Sequence, residues 1–374
     1  MTVSVQALRG VHDGQRSFTV VDADALPITC VEAFLGHLAA LGYSPNTVKA
    51  YAHDLADLFE WLRHRQREWS TLTVADIGEW VAWLRLPSPA RQGRVGVLPT
   101  VAAAVGERTL QRKLAAVSAF YGFHRRLDPE ITLQLTRWDR GFSSAGYQPF
   151  LAHTRRAQAR QEVRVRGVIR GTPEVISAED YQALLDACGR LRDRFLFQLL
   201  RETGMRIGEV LGLRHEDLSI ARREVAVTPR LNVNSARVKR WRPRAVPAPA
   251  ALFSSYGRYL DEEYGDLDSD FVFVNLWAAP QGHPLTYAAA RDLLLRLRQR
   301  TGLHGFTFHH LRHTYATELI RKGTDWAIVA NLLGHASVQT TLGTYGHLTV
   351  EDARRALLAA GWLTSDSTVQ EGTS

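Results

Sequence analysis

The chain of 374 residues contains only two cysteines, Cys30 and Cys188, far apart and both in helix-like segments. That scarcity argues against a disulfide framework and against a metal held by thiolates. No stretch reaches the roughly 18 consecutive apolar residues of a membrane-spanning helix. The opening MTVSVQALRGVHDGQRSF lacks the basic patch and apolar core of a signal peptide. A cytoplasmic protein with no membrane association is the expectation. Lysine is scarce as well: Lys49, Lys113, Lys239 and Lys322 are the only four, and the rest of the 46 basic residues are arginine.

An apolar fraction of 45% and a charged fraction of 22% are those of a globular protein with real cores. The length predicts two domains plus connections. The net charge of +8 is compatible with a polyanionic partner. Its distribution says more. Six arginines lie between His153 and Arg170 against one acid, Glu162, and eight basic residues lie from Arg222 to Arg244 against Glu224. Solvated loops and phosphate contacts both fit such stretches. Since arginine serves wherever surface charge is wanted, a lysine among arginines marks a position that needs more than charge.

Residues 1–27 show no clear periodicity and read as a tail or short arm. From Ile28 the pattern is helical. VEAFLGHLAALG ends at Gly42, and Ser44 and Pro45 open a helix with a stripe of Val48, Tyr51, Leu55, Leu58, Phe59 and Leu62. Further helices are predicted over Val74–Leu84 and Glu107–Arg126, so 28–135 forms a helical bundle. Residues 136–172, rich in arginine, read as a basic interdomain linker. The second domain, 173–374, opens with a helix capped by Ser177 and Asp180. RDRFLFQLLRETG and Met205–Leu213 follow. Short strands are predicted at Glu224–Thr228, Arg244–Val246 and Phe271–Val274, with helices at Tyr287–Arg300, Phe308–Arg321, Asp325–Leu333, Ser337–Tyr345 and Val350–Ala360. The fold class is mainly α with a small β-sheet (α+β).

Three stretches carry chemistry. In RETGMRIGEVLGL, Arg206 follows Gly204 at a helix start, where backbone N–H groups favour an anion. In FTFHHLRHTYATELI, His309 and Arg312 are three apart on one face, beside a buried stripe of Leu311, Tyr315 and Leu319. A guanidinium fork with an imidazole suits a phosphate. His309, His310 and His313 also raise a metal site, weakened by the lack of carboxylate and cysteine partners at useful spacing. In WAIVANLLGHASVQTTLGTYGHL, Gly334 ends one helix, His335 sits in the turn, and Tyr345 follows ten residues later between Gly343 and Gly346.

Together these stretches resemble the catalytic domain of the tyrosine recombinase (phage integrase) family. The family pattern is an arginine after a TG-x turn, an H-x-x-R box, an LGH turn and a tyrosine shortly after. Here these are Arg206, His309 with Arg312, and His335 with Tyr345. The family's hairpin lysine, just before an R-x-V-P strand, falls on Lys239, ahead of Arg244-Ala245-Val246-Pro247. An amine can give up a proton that a guanidinium keeps. The helices SPNTVKAYAHDLADLFEWL and RTLQRKLAAVSAFYGF look like the family's helical core-binding (SAM-like) module. The resemblance covers roughly 28–362. RLNVNSARVK and QTTLGTYGHL look most like transposases of site-specific resistance transposons, although phage-type integrases share most of the pattern. His215 departs from the tryptophan of many relatives, with little consequence expected.

The resemblance implies two domains forming a C-shaped clamp on double-stranded DNA at specific recombination sites. It also implies a homo-tetramer on DNA, accessory recombination proteins, a nucleoid-associated location and no cofactor. Tyr345 would attack a phosphate to give a 3′-phosphotyrosyl bond. Arg206, Arg312 and His335 would stabilise the charge, Lys239 would protonate the leaving 5′-oxygen, and His309 would assist the tyrosine's proton. Glu209 would buttress the site. A final helix capped by Thr349 or Asp352, with Val350, Ala353 and Leu357 on its apolar face, could dock on a neighbouring protomer or on its own domain. A type IB topoisomerase, a DNA-binding protein with an inactive site and a metal-dependent nuclease are the rival readings.

Overall fold

The computed structural model describes residues 2–9, 16–91, 104–139, 158–163, 174–238, 243–335 and 337–345. The chain divides into two compact units, Met1–Ile169 and Arg170–Ser374. The expected final helix beyond Tyr345 lies outside the described residues.

The N-terminal unit begins with a hairpin where the sequence shows no periodicity. Strands β1 (Ser4–Arg9) and β2 (Arg16–Val21) pair antiparallel, Ser4 opposite Val21. Val20 and Val21 are buried and Val5 and Phe18 pack on the core, so the segment is held by long-range burial. Helices α1 (Thr29–Ala40), α2 (Pro45–Arg65), α3 (Val74–Arg85), α4 (Ser88–Arg91) and α5 (Glu107–His124) follow. Ser44 Oγ accepts the Thr47 N–H at 3.2 Å, and Pro45 fills the first turn, which fixes the start of α2. Thr73 and Asp76 cap α3 reciprocally. Phe34, Leu55, Leu58, Trp61, Trp80 and Phe120 form the centre of the core.

Inside this unit Asp54 is fully buried between α2 and α5, bonded to Lys113 Nζ at 3.1 Å and Arg112 Nη1 at 2.5 Å. Burial pushes its carboxyl above the usual range, against the pull of Lys113 and Arg112. Lys113 also binds Asp57 and is itself buried. Scarce lysine therefore does not by itself mark chemistry: Lys113 holds two helices together. Within the stretch read as a linker, β3 (Thr136–Asp139) and β4 (Gln158–Gln161) pair antiparallel. That pairing joins residues some twenty apart, which local patterning does not report.

The C-terminal unit starts with α6 (Ala178–Asp186), where Ser177 Oγ accepts the Asp180 N–H at 3.0 Å, and α7 (Leu191–Thr203). Only a single turn, α8 (Ile207–Val210), stands where Met205–Leu213 was expected to be regular. Strands β5 (Leu218–Ser219), β6 (Glu224–Val227) and β7 (Arg244–Pro247) make one antiparallel sheet. Helices α9 (Ala250–Tyr259), α10 (Tyr287–Thr301), α11 (Phe308–Arg321), α12 (Trp326–Leu333) and α13 (Val338–Tyr345) complete it. The expected strand at Phe271–Val274 is not in the sheet. The four residues are buried and bridge singly, Phe271 to Arg214 and Val274 to Pro284, so no ladder forms. His215 is absorbed into this core: its Nδ1 lies 2.6 Å from the Tyr256 hydroxyl and its ring meets Tyr264 edge-on.

Candidate active site

Helix α12 ends at Leu333, and its last carbonyls have no partner within the helix. Three guanidinium groups meet them. Leu332 O accepts from Arg244 Nε at 2.8 Å. Leu333 O accepts from Arg312 Nη2 at 2.6 Å and from Arg206 Nη1 at 3.4 Å. The negative end of the α12 dipole makes this a favourable place for cations. Ala316, Val329 and Leu333 pack together, with Tyr315 and Leu319 against them, and this small cluster locks α11 to α12.

Arg206 sits at the N-cap of α8, two residues after Gly204, which has a left-handed φ of 60°. Gly204 O also accepts Arg312 Nη1 at 2.7 Å, so one turn seats both arginines. A Cβ at Gly204 would overlap the Tyr315 ring. Gly204→Ala should therefore lower stability by about 1–3 kcal/mol through overpacking and the left-handed φ. Thermal melting measures this; an unchanged transition would show that the turn yields freely.

Glu209 lies behind the two arginines with its side chain fully buried. It accepts the Arg206 N–H at 2.9 Å, Arg206 Nη1 at 3.0 Å, and Arg244 Nη2 and Nη1 at 2.7 and 3.2 Å. Burial opposes its ionisation, but the bonds and charge of Arg244, with those of Arg206, outweigh it and hold the carboxyl below the usual range. Arg244 is an interior residue that sequence patterning left as a mere landmark. Its signal was there: it shares a strand face with the buried Val246, where a charge survives only if paired.

His335 follows Gly334, the left-handed cap of α12. Its Nδ1 lies 2.7 Å from the hydroxyl of Thr341, which is fully buried on α13. That bond ties the turn to the helix that ends at Tyr345, one turn beyond Thr341. The structure thus brings Arg206, Arg312 and His335 together around one helix end. His309 is exposed one turn before Arg312 on α11. Lys239 lies outside the described residues, as does the Tyr345 side chain.

The three histidines of α11 diverge. His310 faces Glu174, with Nε2 to Oε2 3.3 Å, and caps Thr307, while the rings of His309 and His313 are 6.1 Å apart. Burial, then the charges of His309, Arg312 and His310, lower His313 to about 4. Among the described residues no group of three or more His, Cys, Asp or Glu is arranged to hold a metal. Nor is the basic run 222–244 all available to phosphate: Arg230 binds Asp217 and Glu216, and Arg244 binds Glu209.

A helical N-terminal unit and a second unit with arginines gathered at a helix end, beside a histidine turn and a tyrosine-ended helix, define a DNA strand transferase. Residues 174–352 match the phage integrase family, and residues 31–127 match the phage integrase N-terminal SAM-like domain. The chain is 35% identical over 339 residues to transposase A from transposon Tn554 of Staphylococcus aureus, covering 90% of this chain and 92% of that one. It is 26% identical to tyrosine recombinase XerC of the same organism, over 88% and 95% of the two chains. In fold it is similar to the Tn1549 transposon integrase solved with transposon right end DNA, with a TM-score of 0.61 and 16% identity over 89% and 99% of the chains. A lambda integrase dimer bound to a core site gives a TM-score of 0.54 and 15% identity over 85% and 94%. The chain belongs to the phage integrase family and is a tyrosine recombinase, an enzyme of site-specific DNA recombination. No helix among the described residues is long and apolar enough to cross a membrane.

Proposed function

We propose that this protein is the transposase of a mobile element, cutting and rejoining double-stranded DNA through Tyr345. The observation that carries the reading is the convergence of Arg206 and Arg312 on the Leu333 carbonyl, next to His335. The long 35% match to a transposase favours transposition over phage-type integration.

Attack by the Tyr345 oxygen on a phosphate forms a P–O bond to tyrosine and breaks the bond to the 5′-oxygen. A 3′-phosphotyrosyl bond and a 5′-hydroxyl result. Charge gathers on the nonbridging oxygens, where Arg206 and Arg312 stabilise it and His335 adds a hydrogen bond. Lys239 gives its proton to the 5′-oxygen, and His309 assists removal of the tyrosine's proton. The covalent bond retains the phosphodiester energy, so rejoining is the same exchange reversed, without ATP or a cofactor. The working assembly is a homo-tetramer joining two recombination sites, with accessory recombination proteins, in the cytoplasm on the nucleoid.

A labelled, nicked suicide substrate carrying an end of the element tests the reading: a protein–DNA adduct that survives denaturant should form. Relaxation of supercoiled DNA lacking any such end would point instead to a topoisomerase. The proton donor has its own test. Lys239→Ala should slow cleavage about 100-fold or more on ordinary DNA. It should slow it far less where sulfur replaces the 5′-bridging oxygen, because that leaving group needs no proton. Equal slowing on both substrates would remove Lys239 from the role.

A further inference from the structure

Arg244 has no place in the chemistry above, yet it makes more contacts within the site than Arg206 or Arg312 does. Its side chain is 6% exposed, on β7, and it reaches two other elements at once. Nη2 and Nη1 form a fork on Glu209, the residue that also holds the Arg206 backbone and guanidinium. Nε binds Leu332 O, three residues before His335. Nη1 lies so close under the turn that a Cβ on Gly334 would be 2.8 Å away. A buried guanidinium with a bidentate partner and a third, carbonyl partner has one orientation, so it fixes the spacing of whatever those partners belong to.

We propose that Arg244 is a positioning residue for strand cleavage: through Glu209 and the Leu332 carbonyl it sets the distance between Arg206 and the His335 turn. The inference rests on the tyrosine-recombinase reading of the site, and adds to it a residue that never touches the phosphate. Arg206 is anchored at α8 and His335 at the end of α12, elements more than a hundred residues apart in the chain. Glu209 alone reaches only the first, and the 3.4 Å bond from Arg206 to Leu333 O is too long to hold the second firmly. The Arg244 fork closes that gap. Lysine in its place keeps the charge but cannot bind both carboxylate oxygens and the carbonyl together.

The experiment is single-turnover cleavage of the suicide substrate by wild type, Arg244→Lys and Arg244→Ala, each checked for folding by melting and for DNA affinity. Arg244→Lys should bind DNA with a Kd within about threefold of wild type, because the side chain is buried behind the site, yet cleave roughly 10–100-fold more slowly, the cost of a small misplacement. Two further readouts separate positioning from mere stability. On DNA with a methylphosphonate at the cleavage point, one nonbridging oxygen and its charge are gone, so a misplaced Arg206 matters less and the gap to wild type should narrow about tenfold. In Arg244→Ala, millimolar guanidinium should restore part of the rate by filling the vacated space. Cleavage by Arg244→Lys at the wild-type rate, a loss that only tracks the unfolded fraction, or an equal gap on both substrates each overturns the proposal. A folded wild type that forms no adduct would overturn the function itself, and the role of Arg244 with it; an active wild type with an unaffected Arg244→Lys would overturn the role alone.

Discussion

Tyr345→Phe should abolish the covalent adduct, lowering cleavage by about 10⁴-fold or more, equivalent to roughly 5 kcal/mol of transition-state stabilisation. The change removes one oxygen and leaves the ring, and α13 keeps its fully buried Thr341 and the bond to His335, so folding should be untouched. DNA binding rests on many phosphate and groove contacts, so the Kd should stay within about twofold. The signature is therefore a chemical defect alone: normal complexes in a native gel and no shifted band after denaturant. Arginines that stabilise charge on the phosphate still need an attacking oxygen, and water is a poorer one because it is not held at the end of α13. An adduct that persisted in Tyr345→Phe would assign the nucleophile to another side chain.

Glu209→Gln should cost about 3 kcal/mol at neutral pH, because it leaves the buried Arg244 guanidinium without its counter-charge and turns an amide N–H toward it. For a unit of this size that is a fall of roughly 6–12 °C in its melting transition. The shapes of the two side chains are nearly the same, so no cavity term enters. The pH dependence follows from the carboxyl's lowered value. A folded-state pKa below the unfolded one gives stability that is complete above the unfolded value near 4.3 and is lost as pH falls through the folded value. Wild type and Glu209→Gln should thus differ most at neutral pH and converge in acid, where protonated glutamate resembles glutamine. A constant difference across that range would mean that charge is not what Glu209 supplies. The same substitution should slow cleavage, since Arg206 loses both its backbone and its side-chain anchor.

The helices were legible because their periodicity and caps are local. Ser44 and Pro45 start α2, Thr307 and Phe308 open α11, and Gly334 closes α12, within a residue or two of expectation. The N-terminal hairpin was not, because β1 and β2 are held by burial against α1 and α2 rather than by a strong alternating pattern. Phe271–Val274 reads as a strand from its composition, but the core takes its backbone singly and denies it a ladder. Lys113 and Arg230 look like DNA-facing cations until their buried carboxylate partners are seen.

By itself, the sequence determined which groups are available: two arginines and a histidine in recognisable turns, a tyrosine ten residues past the last of them, and a family whose chemistry uses such groups. Residue types and short spacings record that, because helix faces and caps depend on neighbours within a few positions. Only the tertiary structure decided that Arg206, Arg312 and Arg244 share the end of one helix, and that Glu209 sits behind them. Those bonds span 127 residues from Arg206 to Leu333 and 108 from Arg312 to Gly204. Contacts at such separations are settled by how α11, α12 and the sheet pack, and no local pattern encodes them.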